Sequence, residues 1–152
     1  MSQRLKLEIK ALSEITGPDV VVLLSDTLAL PSAAEAFVGP ETRTLLARAA
    51  KAERFEGKPY GALTLLAPEG AGFERLIAVG LGPEADRDTL DFVKLGGAIA
   101  GRLGRGRRAD VVLALPEGEI SPRQAADIAL GLRLRAYTFD RYKTKTRKPE
   151  DA

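Results

Sequence analysis

A chain of 152 residues, 45% hydrophobic and 29% charged, has the make-up of an ordinary globular protein and the length for one domain with a sizeable core. It contains no histidine and no cysteine, which excludes imidazole bases, Ser-His dyads, thiolate nucleophiles, disulfides and the usual His/Cys zinc sites. The net charge of +2 is uneven: residues 133–152 carry seven Lys/Arg against three Asp/Glu, so the positive charge belongs to the tail and not to a face-wide footprint for DNA.

Along the chain, Leu5, Leu7 and Ile9 alternate with Lys6, Glu8 and Lys10, a period of two that predicts a half-buried strand near a sheet edge. No apolar signal core opens the sequence, and no run reaches the ~20 apolar residues of a membrane span, so a cytoplasmic location is expected. The turn signal Thr16-Gly17-Pro18-Asp19 follows. Val20 to Leu24 is a continuous apolar run, as in a strand buried on both faces. A loop, SDTLALPSAAEAF, leads to a helix opened by Pro40, with Thr42, Leu45, Leu46, Ala49 and Ala52 as its apolar stripe. Tyr60 to Ala67 and Arg75 to Val79 read as strands joined by a loop short enough for antiparallel pairing. Asp88 is then the expected N-cap of a second helix that buries Phe92, Leu95, Gly96, Ile99 and Leu103. Gly96, Gly97, Ala98 and Gly101 leave a small-residue flank for close approach to a sheet. Asp110 to Leu115 reads as a single strand. Ser121-Pro122 opens a last helix with the stripe Ala125, Ile128, Ala129, Leu132, Ala136 and Phe139. The sum is an α/β layered domain, with a mixed, mostly parallel sheet flanked by helices.

Four stretches invite a functional reading, and each has a plainer one. Val79-Gly80-Leu81-Gly82-Pro83-Glu84-Ala85 matches a dinucleotide loop in form. However, Glu84, Asp86 and Asp88 would repel a pyrophosphate and Pro83 lacks an N–H, so strand-exit glycines are the preferred reading. Asp86, Asp88 and Asp91 could gather a hard cation, but acids at a helix start are stabilised by its dipole alone. Arg102, Arg105, Arg107 and Arg108 could meet phosphates, but cations at a helix end are favourable anyway, and no aromatic is interleaved for base stacking. Ser25-Asp26-Thr27 lies just past a buried strand, where α/β sheets place ligands; a plain loop is the simpler account.

The segment AADIALGLRLRAYTFDRYKTK resembles the end of the N-terminal domain of the leucyl aminopeptidases, a two-metal peptidase family. There a small-residue helix runs into an aromatic-x-Phe-Asp-x-Tyr-Lys segment, matched here by Tyr137, Phe139, Asp140, Tyr142 and Lys143. ERLIAVGLG resembles the same domain's strand and turn, matched by Val79, Gly80, Leu81 and Gly82. The resemblance covers essentially the whole chain in order and spacing. It implies a macro-domain-like N-terminal domain over residues 1–140 and the start of an interdomain linker over 141–152. It also implies a C-terminal catalytic domain as partner, holding two divalent ions, zinc or manganese, in a hexameric parent. None of the catalytic motifs falls on a residue of this sequence. The expectation for this chain is therefore a non-catalytic accessory domain, with no catalytic, cofactor-binding or metal-ligating residue and no membrane contact. ADP-ribose binding is not expected, because the loop after the early strand is SDTLALPSA and the chain has no Asn. Nucleic-acid binding through the basic loop and tail is the second reading, and a macro-like small-molecule cleft the third. Phe139 is expected to anchor the tail on the domain's own core.

Overall fold

The computed structural model describes residues 18–66, 73–103 and 109–135. β1 (Asp19–Leu24) has every residue buried, as its unbroken apolar run demands. Parallel neighbours flank it: β3 (Arg75–Gly80) pairs along its whole length, and β4 (Ala109–Val111) along its first half. β2 (Ala62–Leu66) runs antiparallel to β3, completing the sheet order β2-β3-β1-β4. The sheet is thus mixed and mostly parallel, with helices on both faces. The first expected strand, around Leu5 to Ile9, lies outside the described residues.

Alternate residues of β1 enter two different cores. Val20, Val22 and Leu24 pack with Leu63, Leu65 and α1 (Ser32–Glu53). Val21 and Leu23 pack with Ile77, Val79 and α2 (Phe92–Arg102), together with Ile128 and Leu132 of α3, which is helical from 122 to the end of the described stretch at 135. At the amino end of β1, fully buried Asp19 takes an ion pair from Arg75 on the next strand.

Four expectations change here. The stretch before Pro40 is not all loop: α1 begins at Ser32 and is interrupted at Gly39 (φ 79°, ψ 158°). A residue before proline is pushed out of the helical region, and glycine tolerates the positive φ, so the chain kinks and the helix restarts at Pro40. The apolar stripe is Val38, Thr42, Leu46 and Ala50, a strict i, i+4 line; Leu45 and Ala52 face solvent. The expected DVVLAL strand splits at 112–113, and its second part forms a hairpin, β5 (Ala114–Leu115) with β6 (Gly118–Glu119). The cap of α2 is Asp91, not Asp88: its Oδ1 accepts the backbone N–H groups of Val93 and Lys94 at 3.0 Å each. Asp88 instead lies in a six-residue 3-10 segment, Glu84–Thr89, ahead of the helix.

The small-residue flank of α2 faces α3, not the sheet. A Cβ on Gly96 would sit 2.1 Å from the carbonyl oxygen of Ile128, and one on Gly131 would sit within van der Waals overlap of the Val93 carbonyl. The two helices cross with backbone on backbone. α3 opens as the sequence indicates: Ser121 Oγ accepts the Gln124 N–H at 3.0 Å, and Gln124 Oε1 accepts the Ser121 N–H at 2.9 Å. This is a reciprocal capping box. Ser121→Ala is expected to cost about 1 kcal/mol, read by urea unfolding; an unchanged midpoint would remove the box from the list of stabilising features.

Candidate functional site at the strand exits

In an open α/β sheet a ligand crevice forms where neighbouring parallel strands send their connections to opposite faces. Here that point lies past the carboxyl ends of β1 and β3: β1 leads to α1 on one face, β3 to α2 on the other. The candidate residues Ser25-Asp26-Thr27 and Gly80-Leu81-Gly82-Pro83 do converge there. Leu81 N–H donates to the Leu24 carbonyl at 2.8 Å, and Asp26 N–H to the Gly82 carbonyl at 3.2 Å.

The crevice is filled by the chain itself. The segment after α1 lies across both strand exits: Gly82 N–H donates to the Gly57 carbonyl at 2.9 Å and Tyr60 N–H to the Gly80 carbonyl at 3.0 Å. Glycine is required by proximity. A Cβ on Gly57 would meet the Ser25 carbonyl oxygen at 2.4 Å, and one on Gly80 the Lys58 carbonyl oxygen at 2.2 Å. The strand-exit glycines therefore serve a close approach of backbone to backbone, not flexibility. Ser25 is buried, and its hydroxyl is within 2.8 Å of Thr27 Oγ1 and accepts the Thr27 N–H, which makes a local turn.

The turn is followed directly by the 3-10 segment and not by an α-helix. That segment folds Arg87 back under the turn. Arg87 is buried, and its Nη1 donates to the carbonyls of Leu81 (3.1 Å), Gly82 (3.3 Å) and Pro83 (3.4 Å). Its Nε and Nη2 grip Glu117 of the β5–β6 hairpin at 2.6 and 3.0 Å, a bidentate pair. The Arg87 hydrogen bond holds the Glu117 carboxyl below its ordinary pKa, against the opposing pull of partial burial. Sequence reasoning missed this clamp, since nothing marks Arg87 and Glu117 as partners across 30 residues. It also missed Tyr60, which adopts φ 70°, accepts the Asp91 N–H on its hydroxyl at 3.2 Å and lies under Lys94 Nζ, 4.6 Å from the ring centre.

The remaining candidates are not brought together. Asp86 and Asp88 are exposed, while Asp91 is committed to its cap. Among the described residues no three acidic side chains are placed to hold a metal ion. Arg102 is exposed at the last turn of α2; Arg105, Arg107 and Arg108 lie outside the described residues, as do Tyr137, Phe139, Asp140, Tyr142 and Lys143. Among the described residues no helix is long and apolar enough to cross a membrane.

Residues 20–146 match the cytosol aminopeptidase family, N-terminal domain. The chain is 47% identical over 137 residues to a probable cytosol aminopeptidase of Methylorubrum extorquens, covering 90% of this chain and 27% of that protein. It is 48% identical over 141 residues to one from Rhodopseudomonas palustris (strain BisA53), covering 88% of this chain and 26% of the relative. With one from Bradyrhizobium sp. the identity is 41% over 153 residues, covering all of this chain and 30% of the relative. The chain thus spans between a quarter and a third of the length of these relatives. A match over most of its length, with identity well above 30%, places the chain in the cytosol aminopeptidase family, in the part that forms that family's N-terminal domain.

Proposed function

We propose that this chain is the non-catalytic N-terminal accessory domain of a two-metal leucyl aminopeptidase. The observation that carries the reading is the match of residues 20–146 to the family's N-terminal domain, in relatives of which the chain spans about 27%. In that setting its partner is the catalytic domain of the same polypeptide, and the assembly is a homo-oligomer, a hexamer in the family pattern, in the cytoplasm. The domain would flank the peptidase centre and shape access to it.

The donor set supports an accessory role. Asp19 is paired with Arg75, Glu117 with Arg87, and Asp91 with two backbone N–H groups. Carboxylates committed in this way are not available to a metal ion, which supports a role without metal chemistry for the described part of the chain. The strand-exit crevice is closed by residues 57–60, which argues against a macro-like nucleotide pocket.

The chain, purified free of host peptidases and supplied with manganese, is expected to leave a leucine amide substrate intact. Turnover that rises in proportion to the added chain would overturn the reading.

A further inference from the structure

The segment that fills the strand exits is anchored at both ends by contacts outside them. On its amino side α1 closes itself: the Phe55 N–H donates to the Ala50 carbonyl at 2.8 Å, and the Arg54 N–H to that of Lys51 at 3.3 Å. On its carboxyl side the Gly61 carbonyl accepts the Gly80 N–H at 2.7 Å, in line with the β2–β3 ladder. Between these anchors residues 56–60 bury little. Glu56, Lys58 and Pro59 are exposed, Tyr60 is half-buried, and Gly57 is buried without a side chain. Their hold on the exits is backbone alone, through the Gly57 carbonyl on Gly82 and the Tyr60 N–H on Gly80. The conformation is also strained at one point. Arg54, Gly57 and Tyr60 adopt φ of 57°, 71° and 70°. Arg54 is a helix cap and Gly57 has no Cβ, so neither objects. A bulky residue such as Tyr60 is kept at positive φ only by its surroundings. Its side chain supplies them: the hydroxyl accepts the Asp91 N–H at 3.2 Å, and the ring lies under Lys94 Nζ.

We infer that residues 56–60 are a strap that lifts off the strand exits as a unit while the sheet stays folded, with Tyr60 as the catch that holds it down. Segments with few buried side chains open at lower free energy than the core around them. Lifting lets the Tyr60 backbone relax, frees the Gly80 carbonyl and the Gly82 N–H, and uncovers Ser25. The sheet keeps its own bonds throughout: Leu81, between those two glycines, donates its N–H to the Leu24 carbonyl at 2.8 Å and owes nothing to the strap. The crevice between β1 and β3 is thus closed at rest and reached by a local opening whose balance is set at the start of α2, where Asp91 and Lys94 hold the Tyr60 side chain. This goes beyond the accessory-domain reading and does not rest on it.

Native-state amide exchange of the 152-residue chain, followed by NMR in low concentrations of urea, tests it. The Tyr60 and Gly82 amides, corrected for intrinsic rates, are expected to exchange together, many-fold faster than Leu81 and with little dependence on urea. Leu81 should follow global unfolding. Two variants then separate a catch from a merely stabilising side chain. Tyr60→Phe removes the hydroxyl and keeps the ring. If the catch is released when the strap lifts, this change favours lifting and global unfolding alike, so Gly82 and Leu81 should speed up by the same factor. Ser121→Ala weakens α3, which stays folded while the strap lifts; it should speed Leu81 and leave Gly82 as it was. Gly82 and Tyr60 exchanging no faster than Leu81 in the parent chain would overturn the strap. So would Ser121→Ala speeding Gly82 as much as Leu81. Tyr60→Phe speeding Leu81 without Gly82 would overturn the catch, because the hydroxyl contact would then survive the opening.

Discussion

Gly96→Ala lowers the stability of this domain by about 2–3 kcal/mol, a fall of roughly 5–10 °C in melting temperature, while Gly97→Ala, one residue along, raises it. Both glycines lie inside α2. Glycine in a helix interior costs about 1 kcal/mol relative to alanine, so on propensity alone both changes should stabilise. What separates them is the crossing with α3. A Cβ at Gly96 would be 2.1 Å from the Ile128 carbonyl oxygen and 2.9 Å from its carbon, and neither backbone atom can swing away. The helices would have to separate, opening the packing around Leu95, Ile99, Ile128 and Leu132. At Gly97 an added methyl meets nothing within 4 Å. Gly131→Ala should behave like Gly96→Ala, since the same crossing is approached from the other helix. Thermal melts of the three variants check this. Equal shifts for Gly96→Ala and Gly97→Ala would mean that the two helices do not approach as described.

The same pair of glycines marks how far the sequence can be read. That α2 has a small-residue flank is plain from Gly96, Gly97, Ala98 and Gly101. Which residue touches a neighbour depends on a helix crossing angle, and no local pattern records it. β1 is legible because a strand buried on both faces needs every residue apolar, and Val20 to Leu24 supply that. The kink at Gly39 is half legible. Pro40 announces a helix start, but the helical turns before it carry alanines and no side-chain cap, so propensity there gives no clear boundary. Asp88 and Asp91 are both good caps on paper; Asp91 wins because Pro83 and Arg87 hold residues 84–89 in a separate turn. The candidate site shows the deepest limit. Ser25 and the glycines Gly80 and Gly82 are each legible as residues that follow a strand, but that the two exits lie side by side is not. That Gly57 and Lys58 fill the space between them is a contact between segments over 20 residues apart, set by tertiary packing alone.

Removing the clamp at those exits should be as damaging as crowding the helices. Arg87→Met is expected to cost about 3 kcal/mol, the low end for breaking a buried pair, because Glu117 keeps some access to water. The loss has two sources: the Glu117 carboxylate loses a bidentate donor, and the carbonyls of Leu81, Gly82 and Pro83 lose the Arg87 guanidinium, with Gly82 and Pro83 keeping the N–H groups of Asp26 and Asp86. Glu117→Gln keeps the shape and the carbonyl contacts but removes the charge, and should cost about 1.5–3 kcal/mol. Its dependence on pH follows from linkage. Glu117 has a folded-state pKa below its ordinary 4.5, so the pair's contribution is fully present above that value. It is lost as pH falls through the lowered folded-state pKa, where the carboxyl takes a proton in the folded protein too. Denaturant unfolding from neutral pH down to strongly acid conditions should therefore show a gap between parent and Glu117→Gln that is constant at first and closes below about 4.5. Arg87→Met should show the same closing, but incompletely, because the guanidinium contacts to the three carbonyls are missing at every pH. A gap that stays constant into acid would assign the cost of Glu117→Gln to packing, and the charge at the strand exits would then play no part in holding the hairpin.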